Sequence, residues 1–168
     1  MDSSTLEHPL SAERSEKQPT ILIVEDEQSL ADVLAFWLRR QGYHTRWAPD
    51  GAAGVEVARR DRPDLVILDV CLPDADGLTI CEILADSPQT CDIPVIILSG
   101  VDQPDIIRRA RGAGCRFYVR KPCDPNALMI LIRQAIDDAR AWRFDEPLDE
   151  AADSPFDGWP ATEFDEPV

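Results

Sequence analysis

Three short runs constrain the fold more than any other feature of the chain: ILIV at 21–24, LVIL at 65–68 and VIIL at 95–98. Each is wholly apolar and too short to be a buried helix, so each reads as a strand covered on both faces. Stretches with helical periodicity lie between them. Residues 28–41 carry Leu30, Val33, Leu34, Trp37 and Leu38 at i, i+3, i+4, i+7, i+8, closed by Gly42. YHTRWA at 43–48 alternates weakly, as a strand at a sheet edge does, and Asp50 reads as the N-cap of a helix to about Arg60. Pro63-Asp64 breaks the chain before the second apolar run. Helices follow over Leu78–Ala85 and Asp105–Arg111, the latter stopped by Gly112-Ala113-Gly114. CRFYV at 115–119 supplies a fifth strand, and Asp124 to about Trp142 a last helix with Leu128, Leu131, Ile132, Ala135, Ile136 and Ala139 on one face.

Strands separated by helices of this length require right-handed crossovers, a parallel sheet and helices on both faces. The expectation is an α/β, doubly wound (βα)5 three-layer sandwich over residues 20–142. Residues 1–19, rich in Ser, Glu, Pro and Gln, read as a disordered lead, and 143–168 as a disordered acidic tail. From Arg143 onward the chain has nine acids, one base and four prolines, and a loose repeat: FDEP at 144–147, FDGWP at 156–160, FDEP at 164–167. Such spaced aromatics can be short docking motifs or simply a solvated, compositionally biased tail.

The net charge of −15 offers no basic excess to displace counterions from a nucleic acid. The tail has neither the length nor the charge of a helix-turn-helix output domain. The chain is therefore expected to make no direct contact with DNA and to carry no second folded domain. Five cysteines without a C-x-x-C pair, and only two histidines, argue against zinc and for reduced thiols used as small hydrophobes. No signal-like or membrane-spanning run occurs, so the expected compartment is cytoplasmic, with no membrane partner.

In a doubly wound sheet ligands gather beyond the carboxyl ends of the strands. The first strand delivers Glu25-Asp26-Glu27 there, the third Asp69, the fourth Ser99, and the fifth ends near Lys121. Two carboxylates about 5 Å apart repel by roughly 3 kcal/mol at an effective dielectric near 20. A hard divalent cation such as Mg²⁺ would offset that repulsion. No glycine-rich loop follows the first strand, so a nucleotide is not cradled here. Lys121 runs against the chain's own usage of 15 arginines to two lysines, which suggests a site that wants a compact point charge. Pro122 fixes the turn after it, and the Lys121-Pro122 bond is open to the cis form. Asp74 and Asp76 offer a spare D-x-D that either binds metal or sits in a solvated loop. Pro73 and Gly77 read as turn chemistry.

ILIVEDE, LVILDVCLPDADG, VIILSG and FYVRKP, in this order and spacing, resemble the receiver domain of two-component response regulators over about residues 20–140. The resemblance implies a flavodoxin-like sheet of order 2-1-3-4-5 with Asp69 as phosphoacceptor. It implies Mg²⁺ held by Asp26 directly, by Glu25 through water, by Asp69 and by the main-chain carbonyl of Cys71. Ser99 would bond the phosphoryl group, Lys121 would pair with its oxygens, and Tyr118 would change rotamer with the state. The donor would be a sensor histidine kinase or histidine phosphotransfer protein, and the output contact with a further protein through helix 4, strand 5 and helix 5. The expected function is a single-domain response regulator rather than an enzyme. Its rivals are a Mg²⁺-dependent phosphohydrolase, which would want an acid where Cys71 stands, and a receiver-like adaptor that is never phosphorylated. Glu25 for the commoner aspartate and Gly100 for the usual alanine depart from the family pattern. Neither Cys71 nor Val101, two residues beyond Asp69 and Ser99, can orient water, so slow decay of the phosphorylated form is expected.

Overall fold

The computed structural model describes residues 18–101 and 105–144. The acidic tail from 145 and the lead up to 17 lie outside the described residues.

Five strands and five helices alternate: β1 (Thr20–Val24), α1 (Gln28–Arg40), β2 (His44–Ala48), α2 (Gly51–Asp61), β3 (Leu65–Asp69), α3 (Gly77–Asp86), β4 (Val95–Ser99), α4 (Ile106–Gly112), β5 (Phe117–Arg120) and α5 (Pro125–Phe144). All pairings are parallel, in the order β2-β1-β3-β4-β5. This is the expected doubly wound, flavodoxin-like sandwich. The three apolar runs are the three central strands. Alternate residues feed two cores: Ile21, Ile23, Leu65, Ile67, Ile96 and Leu98 meet α1 and α5, while Leu22, Val24, Val66, Leu68 and Ile97 meet α2, α3 and α4. The weakly patterned β2 and β5 are the edges.

The helix ends follow their local chemistry. Asp50 caps α2 by accepting the Ala53 N–H at 2.8 Å. Gly42 follows α1 with φ +88°, a left-handed conformation that glycine adopts without penalty. The Lys121-Pro122 peptide is cis. The last helix runs two residues beyond the expected boundary, to Phe144.

One helix face differs from the periodicity reading. The buried residues of α1 are Ala31, Ala35 and Leu38, with Leu34 packed partly against the core. Leu30, Val33 and Trp37 of the expected stripe remain 39–55% exposed, and Phe36 is 56% exposed. Small side chains bring the helix close to the sheet, which rotates the larger ones out toward solvent.

Candidate functional site

The carboxyl ends of the central strands collect polar groups in an otherwise apolar interior. Glu25, Asp69, Thr90 and Ser99 are the buried polar residues among those described, and three of the four lie at this rim. One carboxylate oxygen from each of Glu25, Asp26 and Asp69 lies within 4.8 Å of the others, with Asp26 exposed and its two partners buried. The Lys121 ammonium reaches between them, 2.7 Å from Glu25 Oε2 and 3.1 Å from Asp69 Oδ2. Three carboxylates therefore face one ammonium. That excess of negative charge in an all-oxygen donor set suits a hard cation.

Burial is the largest influence on Glu25 and raises its pKa against the opposing effect of Lys121, with the Asp69 charge adding to the rise. Burial also works against the Lys121 ammonium, but the Glu25 hydrogen bond and the Asp69 and Glu25 charges outweigh it and its pKa is raised. The shared direction has two different causes. Glu25 is the more deeply placed partner, so desolvation wins there, while Lys121 has two anions for a quarter-exposed side chain.

The remaining expected residues are engaged around this centre. The Cys71 N–H donates to Asp69 Oδ1 at 3.3 Å. Its thiol is exposed, and desolvation of the sulfur and then the Asp69 charge raise its pKa, so the thiol is a poor anionic ligand. Ser99 is fully buried, and its Oγ accepts the Val101 N–H at 3.0 Å. The half-buried Tyr118 donates its hydroxyl to the Val101 carbonyl at 3.1 Å. Val101 thus bridges Ser99 and Tyr118 through its main chain. The Lys121 N–H bonds the Ser99 carbonyl at 2.8 Å, tying β5 to the end of β4.

Two contributors escaped the sequence reading. Trp47 donates its indole N–H to the Glu25 carbonyl at 2.9 Å, and the Glu25 N–H bonds the Ala48 carbonyl at 3.1 Å, so β2 clamps the acidic turn. Gly77 is more than turn chemistry. A Cβ there would lie 2.1 Å from the Asp69 carbonyl oxygen and 2.7 Å from Val70 Cα, so only glycine lets α3 start against the strand end that carries Asp69. The signal available was a glycine directly after the capping Asp76. Asp74 and Asp76 are exposed in the loop before α3, as the solvated-loop reading expects, and each also serves a helix start. Asp74 accepts the Gly51 and Ala52 N–H groups, both at 2.9 Å, at the start of α2, which lowers its pKa. Asp76 accepts the Leu78 N–H at 3.0 Å and pairs with Arg109 at 3.1 Å. Among the described residues no buried side-chain nitrogen or oxygen lacks a partner.

A doubly wound parallel sheet with acids and a lysine converging at the carboxyl ends of its strands defines a class of site. The family model of the response regulator receiver domain matches residues 21–133, and the chain belongs to that family. It is therefore the receiver domain of a two-component response regulator. A crystal structure of a CheY-like receiver domain protein from Methanospirillum hungatei shares the fold, with a TM-score of 0.71 and 23% identity over 75% of this chain and 99% of that one. The BeF3-activated receiver domain of Klebsiella pneumoniae RstA is 29% identical with a TM-score of 0.65, covering 70% of this chain and 97% of that one. The DNA-binding dual master transcriptional regulator RpaA of Synechocystis is 34% identical over 115 residues, 68% of this chain and 48% of the relative. The chain spans about half the length of the curated relatives it matches.

RpaA and the mycobacterial MtrA are DNA-binding regulators, and they overturn the expectation that direct DNA contact is excluded. The exclusion rested on the net charge of this chain and on the length and charge of its tail, and neither says what proteins built on the same domain bind. Among the described residues no helix is long and apolar enough to cross a membrane.

Proposed function

We propose that Asp69 accepts a phosphoryl group reversibly from a phosphohistidine donor, a sensor histidine kinase or phosphotransfer protein, and that the modified site switches a protein-binding face. The observation that carries this reading is the ammonium of Lys121 set between Glu25 and Asp69, with three carboxylates within 4.8 Å of one another. Lys121 holds Asp69 Oδ2, and Oδ1 takes only the longer Cys71 N–H contact, so Oδ1 is the less committed oxygen and the one to attack. The P–O bond forms as the P–N bond of the donor breaks, and the imidazole leaves with that electron pair. Glu25, Asp26, Asp69 and the carbonyl of Cys71 would hold Mg²⁺, which when bound neutralises charge developing on the phosphoryl oxygens. Lys121 is then positioned to pair with those oxygens, at the cost of its present contact with Asp69.

The switch follows from hydrogen bonds already made. Ser99 can donate its own O–H to a phosphoryl oxygen while its Oγ still accepts the Val101 N–H, so drawing Ser99 toward the phosphoryl group would pull Val101 with it. Moving Val101 also removes the acceptor of the Tyr118 hydroxyl. Ser99 and Tyr118 are thereby coupled through one residue, and α4, β5 and α5 take two arrangements. On this reading the protein is a regulator in the cytoplasm that assists its own modification, not an enzyme acting on a separate substrate. Cys71, with an exposed thiol and a raised pKa, stands where a phosphohydrolase wants an acid, which speaks against that alternative.

The test is intact mass after incubation with a small phosphodonor, with Mg²⁺ or with EDTA. A single phosphoryl adduct is expected on the parent with Mg²⁺ and none on Asp69→Asn. Equal adducts on both proteins would overturn the proposal.

A further inference from the structure

The large apolar residues that α1 turns outward do not stand alone. Leu30, Val33 and Trp37 form one wall of a groove of about 460 Å³ whose other wall is Pro122, Pro125 and Met129, at the start of α5. A volume of this order suits a ligand or a few inserted side chains (~300–1,000 Å³). An apolar, aromatic- and proline-lined groove on an exposed helix face is a docking feature rather than incidental exposure. Its one acid, Glu25, is already paired with Lys121.

We propose that this groove is occupied by residues Phe156–Pro160 of the same chain, the segment FDGWP. Reach, charge and composition support that assignment. Fifteen residues of helix separate Met129 from Phe144, about 22 Å at 1.5 Å per residue. The twelve residues from Phe144 to Phe156 have a root-mean-square span of about 19 Å as a flexible chain and extend to roughly 40 Å. A tether whose mean span matches the distance it must return gives close to the highest local concentration of the tethered motif. FDEP at 144–147 begins at Phe144, about 22 Å of helix beyond Met129, with no tether residues to span that distance. FDEP at 164–167 has one aromatic and two acids, where FDGWP has two aromatics and one acid and so loses less on entering an apolar site.

The lining of the two cavities discriminates in the same direction. Residues 145–168 carry nine acids and no base. The two charged residues that line the groove, Glu25 and Lys121, are paired with each other, so the groove presents no net negative charge to that segment. A second cavity, about 630 Å³ beside Trp142 at the far end of α5, is nearer in sequence, but Asp92, Arg116 and Asp138 all stand in its walls, paired with Arg62 or with each other, so two aromatics entering it meet more charged surface than in the groove. The inference does not depend on whether Asp69 is phosphorylated.

The test compares NMR spectra of the full chain with those of Phe156→Ser/Trp159→Ser, at two protein concentrations tenfold apart. Docking predicts shifts at the Trp37 indole N–H and the methyl groups of Leu30, Val33 and Met129, an unmoved Trp142 indole, and no dependence on concentration. Val33→Glu, at a position 55% exposed and so tolerant of substitution, should move the Trp159 indole to the position it has in an unstructured peptide. Unmoved groove signals would leave the groove to another protein and overturn the proposal. So would shifts at Trp142, which place the segment in the far cavity, or shifts that vanish on dilution, which mean a second copy of the chain fills the groove.

Discussion

The two ends of the same parallel strands use charge in opposite ways. At the amino ends, Arg62 pairs with Asp92 at 2.8 Å, Arg140 with Asp64 at 3.9 Å and Arg116 with Asp138, all with at least 30% of each side chain exposed. Exposed pairs of this kind contribute about 0–1 kcal/mol each. At the carboxyl ends the central charges lie deeper. Side chains of Glu25 and Asp69 are 5% and 10% exposed, and they share one lysine. Burying a surplus of carboxylate lowers stability unless a cation is supplied. The comparison teaches that one end is arranged to be tolerated by solvent and the other to want something the protein chain does not provide.

Substitutions at the two ends should therefore differ in size and in their response to Mg²⁺. The largest effect is expected from Gly77→Ala, because the new Cβ meets backbone at 2.1 Å and backbone cannot turn aside as a side chain can. We expect a loss of about 3 kcal/mol in urea unfolding, together with loss of phosphoryl uptake as the end of β3 shifts. A loss under about 1 kcal/mol would show that the start of α3 is not held against Asp69.

Lys121→Ala comes next. Removing one partner of a buried pair costs about 3–5 kcal/mol, and partial exposure of Lys121 brings the expectation to about 2 kcal/mol at neutral pH in EDTA. The pH dependence has a defined sign. Glu25 has a raised pKa, so its protonated form is favoured by folding, and stability falls as pH rises from its ordinary value near 4.5 through its value in the folded protein. Without Lys121 the rise is larger, so the gap between variant and parent should be small at acid pH, widen toward neutrality and narrow again with Mg²⁺. Lys121, also raised, contributes fully below its ordinary value near 10.5, and that contribution is lost as pH climbs through its folded value. A gap independent of both pH and Mg²⁺ would break the comparison.

Trp47→Phe keeps an aromatic, though smaller, side chain and removes the hydrogen bond to the Glu25 carbonyl. Loss of one such bond, worth about 1 kcal/mol, should weaken Mg²⁺ binding roughly fivefold by calorimetry while leaving the fold intact. The smallest effect belongs to the other end. Arg62→Ala removes the exposed pair with Asp92 and the contact with the Gln89 carbonyl, and should change stability by less than about 1 kcal/mol and Mg²⁺ affinity not at all.

Much of this arrangement was legible in the sequence because the fold puts its signals in one place. A strand buried on both faces leaves an unbroken apolar run, and the polar residue ending each run is the rim residue. That is how Glu25, Asp69 and Ser99 stand out. Lys121 stands out by usage, as a lysine in an arginine-rich chain. The α1 stripe misled because two stripes overlap on that helix. Hydropathy favours Leu30, Val33 and Trp37, while close packing on the sheet selects Ala31 and Ala35. Asp74 and Asp76 were opaque for another reason. Their partners are N–H groups at two helix starts and an arginine 33 residues away, which no local pattern announces. Gly77 and Trp47 act through main-chain contacts set by tertiary structure, and a single sequence does not display those.

Reduction of the phosphorylated protein with borohydride, followed by peptide mapping, tests the central claim most directly, since an aspartyl phosphate is converted to homoserine where it stands. Homoserine at position 69 and at no other aspartate is the predicted result. Homoserine at Asp26 or elsewhere, with Asp69 intact, would contradict it.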